Sequence, residues 1–285
     1  MTLPITHYVK TKLGHEIGIK IFNPLTPIGK SIIISSATGV LQRYYSKFAN
    51  HFSSLGYTVY TFDYYGIGES KRKPLNEIDT DLKSWGENDQ AAVVDYAKLK
   101  HPYDKLIVVT HSIGGQILSF NKSLDKVDAI VTVASQSGYW KHWKGFERFK
   151  LYVFWNALIP VFTPIFGYFP AKTLGLFESL PKNMVKQWSA WGKKQDYILS
   201  EFKLEKTMFA VYDKPMLILS VPKDEYASKS AVDWLAQQFI NAKIDRRHLV
   251  PEELGIPNIG HFGFFREAFK PSLWKMTEEW IENHS

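Results

Sequence analysis

The sequence predicts an α/β fold, a mostly parallel sheet with crossover helices and one helical insertion between two late strands. Three observations predict it. Short β-branched runs alternate with stretches of helical periodicity along most of the chain. One such run, Lys105 to Thr110, leads straight into His111-Ser112-Ile113-Gly114-Gly115. From about Ser137 to Lys206 the strand pattern stops, the chain fills with Trp, Phe, Pro and Lys, and a strand resumes only at Lys214.

Taken in order, Ile5 to Lys10 and Ile17 to Phe22 flank a turn at Leu13-Gly14 and predict an antiparallel opening. Lys30 to Ser35 is a continuous apolar run, as expected of a strand buried on both faces. The loop Ser36-Ala37-Thr38-Gly39 follows, then a helix over Arg43 to Leu55 ending at Gly56. Tyr57 to Asp63 is the next strand, and Asp81 to Lys98 an amphipathic helix with Leu82, Trp85, Ala92, Val93 and Tyr96 on its apolar side. After Lys105 to Thr110, Asp128 to Ala134 is another buried strand. Beyond the insertion come a strand at Lys214 to Val221, a helix at Ser228 to Phe239, a last strand near Lys243 to Val250 and a closing helix at Ser272 to Glu282. The expected division is a sheet domain of residues 1–136 and 207–285, with residues 137–206 as a helical cap.

The 285 residues suffice for one large core, and 45% hydrophobic content supplies the apolar surface to fill it. Absence of cysteine excludes disulfides, thiolate metal sites and a cysteine nucleophile. It suits a reducing compartment, and Leu3-Pro4-Ile5-Thr6, with the Met1-Thr2 before it, has neither the charged nor the apolar region of a secretory signal; the expected location is cytoplasmic. Net charge is +7, but the lysines are scattered and no nucleic-acid motif is present, so no nucleic-acid partner is expected. Nothing in the chain calls for a metal or an organic cofactor.

A strand running into His-Ser-x-Gly-Gly and then a helix suits a nucleophilic serine. The serine occupies a strained turn that projects its hydroxyl, and Gly114 and Gly115 let the chain pack close behind it. Ser112 could equally be a helix N-cap. Thr110 stands where such turns usually carry glycine, and a β-branched residue there is expected to crowd the turn. A serine hydroxyl needs a base, and the base an orienting acid. Asp224, with Glu225 as the alternative, follows the strand ending at Val221; His261 lies in the glycine-flanked loop Ile259-Gly260-His261-Phe262-Gly263 after the last strand. Either could have a structural role instead, as a helix cap or a buried hydrogen-bonding histidine. The backbone N–H of Ile113 is one expected oxyanion donor. The second is expected in the loop after Ser35, at Thr38 with Gly39 or Val40 close behind.

Asp63-Tyr64-Tyr65-Gly66-Ile67-Gly68-Glu69-Ser70, His111-Ser112-Ile113-Gly114-Gly115, Ser137-Gly138-Tyr139-Trp140 and Gly260-His261-Phe262-Gly263-Phe264-Phe265 together resemble a bacterial family of α/β hydrolases. That family is related to the serine aminopeptidase-like and monoacylglycerol-lipase-like hydrolases. The resemblance runs from about Lys30 to the C-terminus. It implies the α/β-hydrolase fold, a Ser112–His261–Asp224 triad and a cap over the pocket, and it supplies no substrate. The alternatives are a non-catalytic lipid or small-ligand binder and a cofactor-free non-hydrolytic enzyme on the same fold.

The Gly66-x-Gly68 pair lacks the third glycine of a dinucleotide fingerprint. Leu151 to Phe169 is long and apolar enough to raise the question of a membrane, but Asn156, Thr163, Pro160 and Pro164 argue against a simple span. Lys141, Lys144, Arg148 and Lys150 precede it, a basic face beside aromatics that could rest on an anionic bilayer. Within the cap, Trp155, Phe162 and Phe166 are expected to line a pocket for a hydrophobic acyl substrate, and Trp140, Trp143, Trp188 and Trp191 to pack it.

Overall fold

The computed structural model describes residues 3–256 and 258–285; Met1 and Thr2, quoted above with the N-terminal segment, lie outside them. One eight-stranded sheet organises the chain, in the order β1-β2-β4-β3-β5-β6-β9-β10. Its strands are β1 (Ile5–Lys10), β2 (Glu16–Phe22), β3 (Lys30–Ser35), β4 (Thr58–Phe62), β5 (Lys105–His111), β6 (Ala129–Val133), β9 (Pro215–Ser220) and β10 (Lys243–His248). β1 and β2 pair antiparallel, as do β2 and β4, and every later pair is parallel. The helices outside the insertion are α1 (Ser46–Ser54), α2 (residues 82–100, with a π segment at Trp85–Gln90), α5 (Lys229–Gln238) and α6 (Lys275–His284).

The central strands β3, β5, β6 and β9 are buried on both faces, which is why they read as Ile-, Val- and Leu-rich runs rather than alternations. β10 is different: Lys-Ile-Asp-Arg-Arg-His is polar because it forms the sheet's edge. Arg246 reaches Asp233 of α5 at 2.8 Å and Arg247 pairs with Asp245 at 2.6 Å, charges that discourage another chain from adding a strand there.

Strand order fixes the place of the site. From β3 the chain crosses to β4 on one side, and β5 then lies on the other side of β3. The loops leaving β3 and β5 therefore diverge, opening a crevice at the carboxyl ends of these neighbouring strands. Ser35 is paired with Thr110 across them, so the loop carrying Thr38 starts level with the turn carrying Ser112.

Between β6 and β9 no strand joins the main sheet. The insertion consists of α3 (Gly145–Phe166), α4 (Lys182–Gly192), a two-residue ladder of β7 (Tyr168–Phe169) with β8 (Leu180–Pro181), and irregular connections. Its interior is aromatic: Trp155 and Trp191 are fully buried and Trp143 nearly so, while Trp140 and Trp188 are half-buried against them. Polar bonds tie it to the sheet domain. The Gln187 side chain accepts from the N–H groups of Leu82 and Lys83 at 2.9 and 3.2 Å, capping α2, and Glu178 N–H donates to Gly39 C=O at 3.0 Å.

Candidate active site

Ser112 sits at the end of β5 with φ 52° and ψ −115°, a conformation an L-residue adopts only when its surroundings force it. Two contacts do so. Its N–H donates to Val133 C=O at 3.0 Å, and its C=O accepts from Gly115 N–H at 3.1 Å. The two glycines leave no alternative packing. A Cβ on Gly114 would stand 2.6 Å from Ser35 C=O, and one on Gly115 2.3 Å from Ser135 Oγ and 2.8 Å from Thr110 Oγ1. The expected crowding at Thr110 is relieved in this way: its hydroxyl lies 3.3 Å from Ser135 Oγ in the space Gly115 leaves open.

His261 lies in a single helical turn, Gly260–Gly263, entered through Gly260 at φ 62°. Its Nδ1 is 3.0 and 2.9 Å from Asp224 Oδ1 and Oδ2. Oδ1 also accepts from the N–H groups of Tyr226 and Ala227 at 2.8 and 2.9 Å, so the carboxylate is fixed by its own loop before it meets the imidazole. Asp224 does not cap α5; Ser228 does. Glu225 is turned outward to Lys150 at 3.5 Å, leaving Asp224 as the acid at the histidine. The structure thus joins two of the three sequence-identified residues directly. Ser112 directly follows His111, whose ring lies 4.9 Å from that of His261. Among the described hydrogen bonds none links Ser112 Oγ to His261 Nε2; such bonds often tighten only once substrate is present.

His111 is a residue whose part the sequence did not disclose. It is wholly buried, and its Nε2 faces the C=O of His261 at 3.0 Å. A carbonyl only accepts, so Nε2 carries the proton and Nδ1 accepts. Nδ1 takes its bond from Tyr45 Oη at 2.9 Å, and Tyr45 Oη accepts from Ala37 N–H at 2.9 Å. Donors run in one sense from the loop after β3, through Tyr45 and His111, to the backbone of the histidine turn. Burial holds the His111 pKa well below the usual imidazole value, with the charge of His261 adding to it, so the ring stays neutral. Tyr44 adds a second tie, donating from its hydroxyl to Phe262 C=O.

Because Ala37 N–H is given to Tyr45, it is not available for an oxyanion. The N–H groups of Thr38 and Ile113 have no partner among the described backbone bonds, and Thr38 Oγ1 is buried without one as well. The motif at Asp63 to Ser70 is architectural. Asp63 accepts from Gln42 N–H, Gln42 Nε2 and Glu69 N–H at 2.8 to 3.0 Å, and Ser70 Oγ donates to Asp63 C=O. Gly68 is glycine because a Cβ there would fall 2.2 Å from Asp63 Oδ2.

The pocket expected from the insertion's aromatics is built differently. Trp155 faces the interior of the insertion: its Nε1–H donates to Gly138 C=O at 3.0 Å and its indole lies against bare Gly192. Phe162 and Phe166 stack on each other at 6.4 Å, with Phe166 exposed. Helical periodicity found this apolar helix but not which of its sides meets the sheet domain. A cleft of about 460 Å³ opens instead between the loop after β3 and residues 172–178, bordered by Gly39, Tyr44, Lys172, Leu176, Phe177 and Phe262. Trp155, Phe162 and Phe166 do not border it, and neither do Ser112 and His261, although Phe262, the neighbour of His261, does. Glu178, an acid on the rim of this cleft that could otherwise receive an amine terminus, pairs with Lys172 at 2.9 Å.

A second chain of bonds links the insertion to the acid loop. Trp188 Nε1–H donates to Tyr197 Oη at 2.9 Å, and Tyr197 Oη–H to Gln116 Oε1 at 2.6 Å. Gln116 Nε2 donates to Gln136 Oε1 at 3.2 Å, and Gln136 Nε2 to Tyr226 C=O at 2.8 Å. Among the described residues no cluster of His, Asp and Glu could hold a metal ion.

Residues 32–268 match the family described as the alpha/beta hydrolase fold, and the chain belongs to that family. The fold and its mostly parallel sheet agree with the sequence reading. Solved structures share it at low identity. An esterase of Pyrococcus furiosus, Pf2001, is 14% identical with a TM-score of 0.65, covering 99% of this chain and 91% of its own. Est1E of Butyrivibrio proteoclasticus, solved with ferulic acid, is 17% identical with a TM-score of 0.61, covering 98% of each chain. DcsB, solved with a substrate analogue, is 16% identical with a TM-score of 0.67, covering 99% of this chain and all of its own. These likenesses show the fold. No curated protein matches the chain.

Proposed function

We propose that the chain is a serine esterase acting on hydrophobic acyl substrates in the cytoplasm, with Ser112 as nucleophile, His261 as base and Asp224 as orienting acid. The observation that carries the reading is the carboxylate-held imidazole of His261 packed against His111, the residue that leads into a serine held at φ 52°. In the first half-reaction Ser112 Oγ bonds to the ester carbonyl carbon as its proton passes to His261 Nε2. The N–H groups of Ile113 and Thr38 receive the oxyanion. The leaving alcohol takes the proton as the C–O bond breaks. Water, deprotonated by the same nitrogen, then attacks the acyl-enzyme and releases the acid, regenerating Ser112. Asp224 keeps the proton on Nδ1 and stabilises the imidazolium. Residues 137–206 serve as the cap, and the apolar wall of Leu176, Phe177 and Phe262 favours an acyl or aromatic group over a polar peptide. A carboxylesterase or lipase-like activity fits better than a peptidase, since Glu178 is neutralised by Lys172.

The test is labelling by a fluorophosphonate probe, followed by hydrolysis of p-nitrophenyl esters of increasing chain length. Labelling that disappears in Ser112→Ala, with medium-chain esters preferred over acetate, is expected. Folded protein that takes no label would overturn the assignment. The lack of a Ser112–His261 bond among the described hydrogen bonds favours one second reading, a binding protein that retains the pocket. That reading predicts ligand retention with no labelling and no turnover.

A further inference from the structure

We propose that helix α3 and the lysine-rimmed groove beside it form a docking surface for an anionic lipid bilayer, the helix lying in the plane of the interface. α3 spans 22 residues and its most apolar stretch has a mean hydropathy of 1.4, yet only 17% of that stretch is buried. A helix apolar on all sides is ordinarily enclosed by protein or by lipid. Phe146, Phe149, Val161 and Ile165 are each more than half exposed, and no charged residue occurs between Lys150 and Lys172. At about 1.5 Å per residue the helix offers an apolar ridge ~33 Å long.

Charge selects the occupant. Residues 137–206 contain eleven Lys and Arg against five Asp and Glu, so this quarter of the chain carries +6 of the net +7. The acids nearest the ridge are already engaged: Glu147 and Glu225 by Lys150, and Glu178 by Lys172. Lys141, Lys144, Arg148, Lys186 and Lys193 enter no ion pair among the described residues. Arg148 and Lys141 lie over Trp140 at 4.7 and 5.4 Å, joining cation and aromatic surface at one end of the ridge. Alongside it, Lys186 of α4 and Lys193 just past its end flank a groove of about 290 Å³ floored by Ile159, Pro160 and Pro164. An apolar ridge bordered by unpaired cations fits acyl chains with anionic headgroups above them.

The helix lies on the bilayer rather than across it. Its inner side is held by Trp155, whose N–H bonds Gly138 and whose C=O accepts from Ser189 Oγ at 2.8 Å, and Ile159 and Thr163 are buried with it. Crossing a membrane would strip this side from α4. Docking needs no part of the proposed triad and stands whether or not Ser112 is a nucleophile.

The experiment uses the full chain, which contains no cysteine, so Phe149→Cys creates a single attachment point for an environment-sensitive fluorophore. Tyr103→Cys, at an exposed position before β5 at the opposite end of the strands, is the control. Vesicles of phosphatidylcholine alone are compared with vesicles containing 30% phosphatidylserine, at low and physiological salt. Expected are a blue shift only for the label at position 149 and only with phosphatidylserine, and sedimentation with those vesicles that weakens as salt rises. Phe146→Asp with Ile165→Asp, or Lys141→Glu with Lys144→Glu and Arg148→Glu, should each reduce vesicle-bound protein at least tenfold without altering far-ultraviolet dichroism. No sedimentation with phosphatidylserine vesicles overturns the proposal. So does a blue shift that grows with protein concentration in the absence of lipid, which would assign the ridge to a second copy of the chain.

Discussion

Removing one oxygen atom from Tyr45 should destabilise the protein far more than removing the same atom from Tyr57. Both side chains are buried, and Tyr→Phe leaves each ring in place, so neither change opens a cavity large enough to matter. The difference lies in what each hydroxyl touches. Tyr45 Oη accepts from Ala37 N–H and donates to His111 Nδ1, both at 2.9 Å. Tyr57 Oη is buried with no partner among the described residues. In Tyr45→Phe two buried polar groups lose their only partner, each worth on the order of 1–3 kcal/mol, so a loss of about 2–6 kcal/mol is expected. In a chain of this size that corresponds to a Tm lower by roughly 3–10 °C. Tyr57→Phe removes a desolvated hydroxyl that gains nothing, and its stability should stay within about 0.5 kcal/mol of the parent or rise. Urea unfolding of the three proteins, followed by tryptophan fluorescence at pH 7.5, measures both values. Equal losses in the two variants, or a loss below about 0.5 kcal/mol in Tyr45→Phe, would refute the directed bond chain through His111.

The same histidine sets an acid limit. Its folded pKa lies well below the value of about 6.5 it regains on unfolding, so the unfolded chain binds the extra proton and stability falls as pH drops below about 6.5. His111 should cost about 1.6 kcal/mol between pH 6.5 and pH 5, with a limiting slope near 1.4 kcal/mol per pH unit, and unfolding curves of His111→Gln should lose that share of the slope. His51, His142 and His248 are lowered in the same direction, chiefly by burial, and should leave a residual slope. At the turn behind Ser112, Gly115→Ala should cost about 1–3 kcal/mol by overpacking against Ser135, and Ser135→Gly should recover a large part of it. A double-mutant cycle with no coupling between the two positions would contradict that contact.

The main strands were legible because each central one is a short apolar run buried on both faces, and such runs announce themselves without reference to the rest of the chain. Lys105–His111 and Lys243–His248 fall within a residue or two of where their patterns place them. The contact of Asp224 with His261 was legible because a base and its orienting acid are expected after particular strands, and the structure brings the two side chains within 2.9 Å. The tie from Ala37 through Tyr45 and His111 to His261 was not. Its partners are 66 and 150 residues apart, and a buried histidine beside the serine looks the same in sequence whether or not it is bonded. The placing of Trp155, Phe162 and Phe166 failed for a related reason. An aromatic stripe tells that a helix has an apolar side, and α3 has two: one holds Trp155 against α4 and the other is bare.

The bond chain from Trp188 to Tyr226 bears on how molecules enter and leave. If residues 137–206 act as the proposed cap, lifting them as a rigid door would strand the Gln116 amide, which is wholly buried, along with Tyr197 and Gln136. Each orphaned group would cost on the order of 1–3 kcal/mol, and the motion would also tug on the loop that holds Asp224. The rim at residues 172–178 is fastened more lightly, by Glu178 N–H to Gly39 and an exposed Lys172–Glu178 pair, so it is the cheaper doorway. Traffic through that rim can proceed while the floor beneath it keeps its alignment, so turnover and alignment need not compete.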